Sequence, residues 1–572
     1  MLRQITFAFL VLSPLVSIGA DFKIGDKVLL KPDAEATVKG KQVDLNTIPV
    51  PATIVEIVSD KVLLGKAWVR LADVMTVDEA LAFYDEQIAK DSTKASSWES
   101  RGLVWCEKKE YGNAINDFTE AIRLDPKNSM AYVYRGRARP DVDVDKAFED
   151  FDEAVRLDSN NGKAYRGRGA VWGLKGELDK AISDMTEAIR LEPTDTTAYH
   201  NRAQCWQMKG DIDNAINDLS EVIKLDPKDA TARCNRGWFR YKKGELENAI
   251  TDFNTAIRLD PQNAMAYNNR GVYWQKKGEL DKALKDFNRA IDLDPKHALA
   301  YPNRGRVRAM QKDFEKASED FNTAITLDPT NARAYAARGT FLAETGQPDA
   351  AIKDLSKAIR LNPKDAEAYS NRGMAWASKG ELGNAIDDAT ESIRLDPNFV
   401  KAHSNRGGFL AKKGELDAAI KDTTEAIRLD PKYAIAYGNR GASWAGKGEF
   451  EAAAKDWTEA IRLNPKSATA FSNMAKLRAT CPDERYRDGK EAVEFATTAC
   501  EMTEWKNPNC LGSLAAAFAE TSDFPNALKW QERAIELMKE EEKREATERL
   551  ELYRANKPYR FVLKKLSILQ FL

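Results

Sequence analysis

Three histidines, His200, His297 and His403, are the residues best suited to acid–base or metal chemistry in this 572-residue chain. They lie too far apart in sequence for any metal-ligand spacing, so neither histidine catalysis nor a bound metal is expected. Six cysteines are too few for a disulfide framework. Cys106, Cys205 and Cys234 fall inside helical patterns, where a thiol packs as a small apolar group. Cys500 closes one expected helix and Cys510 opens the next, so these two could approach within bridging distance. The run from Gly441 to Gly448 nearly spells a phosphate-binding loop. Gly448, however, stands where that loop needs Ser or Thr, and no strand precedes it. No Ser/His/Asp or Cys/His set stands out, so the chain reads as a non-enzyme without a cofactor.

Charge is abundant but balanced: 87 Lys+Arg against 89 Asp+Glu leave a net charge of −2, with 31% charged and 43% hydrophobic residues. A nucleic-acid binder would carry a basic stripe, and none is present. Much of the charge is periodic. Arg recurs at 101, 135, 168, 202, 236, 270, 304, 338, 372, 406 and 440. Asp recurs in step at 117, 150, 184, 218, 252, 286, 320, 354, 388, 422 and 456. A bidentate Arg–carboxylate contact inside each hairpin, or to its neighbour, explains the match. The other reading is an anion-binding ladder, but a ligand-binding Arg would not need an Asp companion in every unit.

The elements that position these residues follow from the same period. Leu-Asp-Pro-like stops place prolines at 126, 193, 227, 261, 295, 329, 363, 397, 431 and 465. In Ala264–Pro295, Tyr267, Arg270, Gly271 and Trp274 share one face of a first helix. Gly278 sits in the turn, Asp281 is placed to cap a second helix, and Ala283, Phe287, Ala290 and Ile291 share that helix's face before Pro295 stops it. Neither helix can bury its stripe alone, so units must stack. One unit is shorter than the rest near Pro140, which should end its first helix early.

This fixed period, with these positions, resembles that of the tetratricopeptide-repeat (TPR) family. The resemblance implies a mostly α fold, a right-handed α-solenoid of TPR helical hairpins, and a small all-β barrel is expected to precede it. The expected organisation is a signal peptide at 1–20, the barrel at 21–75 and a capping helix at 76–94. Eleven repeats at 95–466 follow, then two degenerate hairpins at 467–540 and a C-terminal helix with an apolar tail at 541–572.

The residue before the periodic Arg is Asn in many units, and the same place recurs once more beyond them: Asn201, Asn235, Asn269, Asn303, Asn371, Asn405, Asn439 and Asn473. This resembles the asparagine ladder lining the groove of some TPR superhelices, notably the arm of protein O-linked N-acetylglucosaminyltransferases. An amide both donates and accepts, so it can hold a peptide backbone whatever the side chains. The alternative is that it bonds the neighbouring helix. The ladder is interrupted at Ser100, Tyr134, Gly167 and Ala337. Thr231, Cys234, Asn235, Trp238 and Lys242 share one outward face, and Trp238 beside Asn235 is a candidate hot spot. Further on, Ala336, Ser370, Ser404, Gly438, Ala377, Ala411 and Ala445 make that face small and neutral. Trp105, Trp172, Trp206, Trp274, Trp376 and Trp444 fall on the inward face and are read as core.

At the start, Arg3, an apolar stretch from Ile5 to Ile18 and small residues to Ala20 have the three regions of a secretory signal. Short strand patterns across 21–75, with Gly25-Asp26-Lys27-Val28 and Trp68-Val69, resemble bacterial Src-homology-3-like barrels, which bind peptide stems or cell-wall material. The expected function is a scaffold of the bacterial envelope or periplasm holding a protein or extended peptide in a concave groove. Its partners are then proteins or peptides, with cell-wall or membrane-surface association open and no nucleic acid or small-molecule cofactor. The alternatives are a targeting subunit with catalysis on another chain and a wall-associated protein binding through its barrel.

Overall fold

The computed structural model describes strands within residues 27–70, then residues 74–139, 143–540 and 543–561. The expected signal peptide and the apolar tail beyond Phe561 lie outside the described residues. By its internal contacts the chain divides into two compact units, Met1–Asn269 and Arg270–Leu572.

Seven short strands open the first unit: β1 (Lys27–Leu30), β2 (Ala36–Val38), β3 (Lys41–Val43), β4 (Ala52–Val58), β5 (Lys61–Leu64), β6 (Ala67–Arg70) and β7 (Val74–Met75). They form an antiparallel sheet in the order β3-β2-β6-β5-β4-β1-β7. Its described pairings do not join β3 to β7, so closure into a barrel is not part of the hydrogen bonding among the described residues. Met75 of β7 packs with Ala80, Tyr84 and Val104, joining the sheet to the first helices. The lone helix Val77–Lys90 starts on a reciprocal cap, Thr76 accepting from Glu79 N–H while the Glu79 carboxylate accepts from Thr76 N–H at 2.8 Å.

From Ala95 to Leu463 the described residues form eleven helical hairpins, from Ala95–Glu107 with Tyr111–Leu124 to Ala434–Lys447 with Phe450–Leu463. Helix Ala264–Lys276 spans the division between the units. In several hairpins the two helices meet where a glycine faces an aromatic ring, whereas Gly407 meets the smaller Thr423. A Cβ on Gly237 would stand 2.8 Å from the Phe253 ring, and one on Gly441 2.8 Å from the Trp457 indole. Where the first helix has Ala203, its partner is the smaller Leu219. Burying a Phe in this way is worth about 1.5–3 kcal/mol. The six periodic Trp are half-buried within these cores.

Two local expectations change. Asp281 does not cap its helix: the cap position is Glu279, without a side-chain bond. Asp281 instead lies in the first turn and accepts a 3.0 Å bond from Gln311 of the next hairpin. Lys108 to Asp78, Lys175 to Asp145 and Lys447 to Asp417 repeat this link. Cys500 and Cys510 are free thiols sharing one apolar cluster, not a bridge. As expected, Ser129–Ala138 is a short helix, ending just before Arg139. Gly448 is the left-handed cap ending Ala434–Lys447 (φ 83°), which accounts for the phosphate-loop-like sequence.

Two further hairpins, Ala468–Thr480 with Gly489–Met502 and Pro508–Glu520 with Phe524–Leu537, continue the second unit before helix Lys543–Arg554. The chain then returns to them. Phe561 is buried among Phe450, Trp457 and Met474, its N–H donates to Thr480 O at 3.2 Å, and Arg560 pairs with Glu520 at 2.6 Å.

Candidate binding surface

Every one of the eleven periodic arginines pairs with the Asp of its own hairpin, at distances between 2.6 and 2.8 Å. In Arg202, Nε and Nη2 donate to the two oxygens of Asp218 at 2.9 and 2.6 Å. The third nitrogen makes a contact that sequence reasoning missed: Arg202 Nη1 donates to Thr186 Oγ1 of the preceding hairpin at 2.9 Å. Arg101 reaches Asp85, Arg236 reaches Ser220, Arg338 reaches Asn322 and Arg440 reaches Thr424 in the same way. Most of these guanidiniums also lie over an aromatic ring one turn back, as Arg202 does over Tyr199 at 5.7 Å. The carboxylate side chains are 3 to 10% exposed. Hydrogen bonding to Asp184 raises the Arg168 guanidinium above its usual range, against the opposing effect of burial. Ten of these arginines join three helices and Arg270 is paired within its own hairpin, so their charge is spent inside the fold and the anion-ladder reading falls. The sequence signal was present, since Asp85, Thr119, Asp152, Thr186 and their counterparts recur at one place in each preceding second helix.

The asparagines divide by what their amides do. In the second unit, Asn371 donates to Thr340 Oγ1 at 3.0 Å, Asn405 to Ser370 Oγ at 3.1 Å and Asn439 to Ser404 O at 3.1 Å. Ser370 and Ser404 are buried, so the small neutral face expected there is partly closed by helix packing. Asn303 is half-buried and Asn473 buried. In the first unit, Asn269 is buried and donates to Cys234 Sγ at 3.5 Å. Cys234 packs with Ala256 and Ala266, which takes it off the outward face. Burial pushes its thiol up to about 12.

Asn201 and Asn235 differ. Both are half-buried, and neither side chain makes a hydrogen bond among the described residues. They line a cavity of about 310 Å³ together with His200, Gln204, Gln207 and Trp238. Helices Thr196–Lys209 and Ala230–Lys243 bring them there, since each Asn precedes a stapled Arg and must face away from the Asp. Trp238 stacks on Tyr241 with ring centroids 5.5 Å apart and carries the Lys242 ammonium 5.5 Å over its face. His200 Nε2 lies 2.9 Å from Asp229, which holds the ring at the rim. Gln204 and Gln207, one and two turns from His200, escaped the sequence reading; their offset from Asn201 on the same face was the available signal. Among the described residues no group of three His, Cys, Asp or Glu could hold a metal ion, and no helix is long and apolar enough to cross a membrane.

Successive helical hairpins, stapled Arg to Asp and presenting side-chain amides on first helices, define a helical-hairpin repeat protein. Tetratricopeptide-repeat family models match residues 196–229, 240–277, 264–297, 300–331, 321–353, 341–380 and 410–468. Those segments carry tetratricopeptide repeats. The structure is similar to one in the crystal structure of the APC/C hetero-tetramer Cut9-Hcn1, with TM-score 0.59 and 15% identity over 83% of this chain and 93% of that one. That likeness concerns the fold. The human IFIT1 dimer with m7Gppp-AAAA matches with TM-score 0.44 and 15% identity, over 65% of this chain and 89% of that one. YrrB, a TPR protein described as having an unusual peptide-binding site, is 29% identical over 32% of this chain and 95% of its own, with TM-score 0.25. A search of the curated proteins finds no match.

Proposed function

We propose that the protein is a non-enzymatic scaffold that holds a protein or extended peptide on its repeats. In the first unit the contact is made at Asn201, Asn235 and Trp238. The observation that carries this reading is the set of uncommitted amides, Asn201, Asn235, Gln204 and Gln207, beside the half-buried indole of Trp238. Amides without partners around a cavity are positioned to bond a peptide backbone, and a rigid stacked Trp supplies apolar area at low entropic cost. Asn405 and Asn439 act instead as ties between hairpins.

Peptides selected on the full chain from a random displayed library test the reading. Their affinity should fall at least tenfold in an Asn201→Ala/Asn235→Ala/Trp238→Ala variant, the loss expected when a hot spot is truncated. An Asn405→Ala/Asn439→Ala variant should keep peptide affinity and lose stability. Equal binding by the triple variant would sink the groove contact.

Export to a bacterial envelope or periplasm, and a small Src-homology-3-like barrel formed by residues 21–75, belong to the same proposal. They rest on the three-part amino terminus and on the short antiparallel strands. Mature protein from an envelope fraction that begins just after Ala20 supports export; a retained Met1 in the cell interior opposes it.

A further inference from the structure

The shortened unit borders a cavity of about 300 Å³ in the first unit, away from Trp238. Its first helix, Ser129–Ala138, has 10 residues, whereas Gly162–Leu174 has 13 and Thr196–Lys209 has 14. Beside the end of Ser129–Ala138, Val144, Ala147 and Phe151 of helix Val144–Leu157 line the cavity, Ala147 and Phe151 each presenting only 4% of their surface. On the other side stands Gly167, at the position where most other units carry Asn. A Cβ there would lie 2.3 Å from the Phe151 ring, so only glycine leaves that ring in place as the floor. Leu174, 66% exposed, adds apolar surface at the mouth.

The rim is cationic. Arg137, Arg139, Lys163 and Arg166 all line the cavity, and none of its described lining residues is acidic. Two of these charges are already matched: Arg139 stands 2.9 Å from Asp150, and Arg166 pairs with Asp195. Arg137 and Lys163 are exposed and make no ion pair among the described residues. Two unmatched cations over an apolar floor, in a volume at the lower end for small-molecule sites, select a compact amphiphilic anion.

We propose that this cavity binds a small organic anion, a carboxylate or phosphate ester on an aromatic or branched apolar body. The anion sits between Arg137 and Lys163, and the body rests on Phe151, Val144 and Leu174. The site touches the edge of the peptide contact at Asn201 but uses neither Asn235 nor Trp238.

Calorimetric titration of the full chain with 1-naphthyl phosphate, 1-naphthol and inorganic phosphate tests it. Naphthyl phosphate should bind one to one and at least tenfold more tightly than either fragment. An Arg137→Ala/Lys163→Ala variant should lose at least tenfold of that affinity. Ala170→Phe, at an exposed position lining the cavity, should fill it and abolish binding with helical circular dichroism unchanged. Inorganic phosphate binding as tightly as the ester, parent affinity in either variant, or no saturable binding of the ester would each overturn the proposal.

Discussion

Removing the Arg202 side chain leaves the Asp218 carboxylate in an almost closed site without its two donors, and also cuts the tie to Thr186. Breaking one partner of a buried pair costs about 3–5 kcal/mol. Arg202→Ala should therefore show that loss in urea unfolding, and Arg202→Lys should recover only part of it because an ammonium cannot bind both oxygens. Replacing both partners, as Arg202→Met/Asp218→Leu, should cost less than Arg202→Ala; a greater cost would mean that the pair itself stabilises the fold. A different residue gives a pH signature. Burial, with the Arg549 charge adding to it, lowers the Lys476 ammonium to about 8, below its unfolded value of about 10.4. Between these values the unfolded chain holds a proton that the native one does not, so stability rises with pH across that window. Lys476→Met should remove the rise, read as the difference between parent and variant urea midpoints at pH 7.5 and pH 10. Cysteines follow the same logic: burial pushes Cys500 up to about 12 and Cys106 up to about 11, so maleimide at pH 8 should label them only on unfolding.

At the scale of the helix, the hairpins with Phe or Trp on their second helix depend on a glycine meeting that ring. Gly271→Ala would place a methyl 2.6 Å from Phe287 and should destabilise the protein by about 1–3 kcal/mol, the usual penalty of overpacking. Gly383→Ala is the control, because nothing lies within 4 Å of its added methyl. It should be neutral or stabilising by up to about 1 kcal/mol, since alanine loses less backbone entropy in a helix. Thermal melts of the two variants separate packing from propensity. Much of this level was legible in the chain: the spacing of Arg270, Gly271 and Trp274 against Phe287 already required two facing helices. Asp281 was misplaced because a residue at a helix start can bond its own backbone or a neighbouring hairpin. Only the position of Gln311 decides between them.

Over the whole molecule, hairpins contact mainly their neighbours, so unfolding should spread along the array and not occur in one step. Circular dichroism and tryptophan fluorescence should give non-coincident urea transitions; superimposable curves would mean a single cooperative unit. The segment returning at Arg560 and Phe561 closes the cluster around Phe450 and Trp457. Phe561→Ala should cost about 3–5 kcal/mol, felt as faster hydrogen exchange in Ala434–Thr480 and not in the first unit. Read along the chain, this ending is only an apolar run with several possible destinations, because a docking site is made by surfaces brought together from distant positions.

Spacing within one unit was enough to predict the hairpin and to match Arg with Asp, while the closing of each pair inside its own hairpin was decided by the fold. A helix of known period places its own side chains, and a partner on the adjoining helix of the same hairpin has one direction in which to lie. Which amides are free could not be read that way. Asn405 and Asn439 look identical to Asn201 and Asn235 in the chain. The first two find Ser370 and Ser404 on the preceding hairpin, while the others face a cavity beside Trp238. The consequence of a shortened unit near Arg139 likewise emerged only in three dimensions, because the space beside a shortened helix depends on the side chains that surround it.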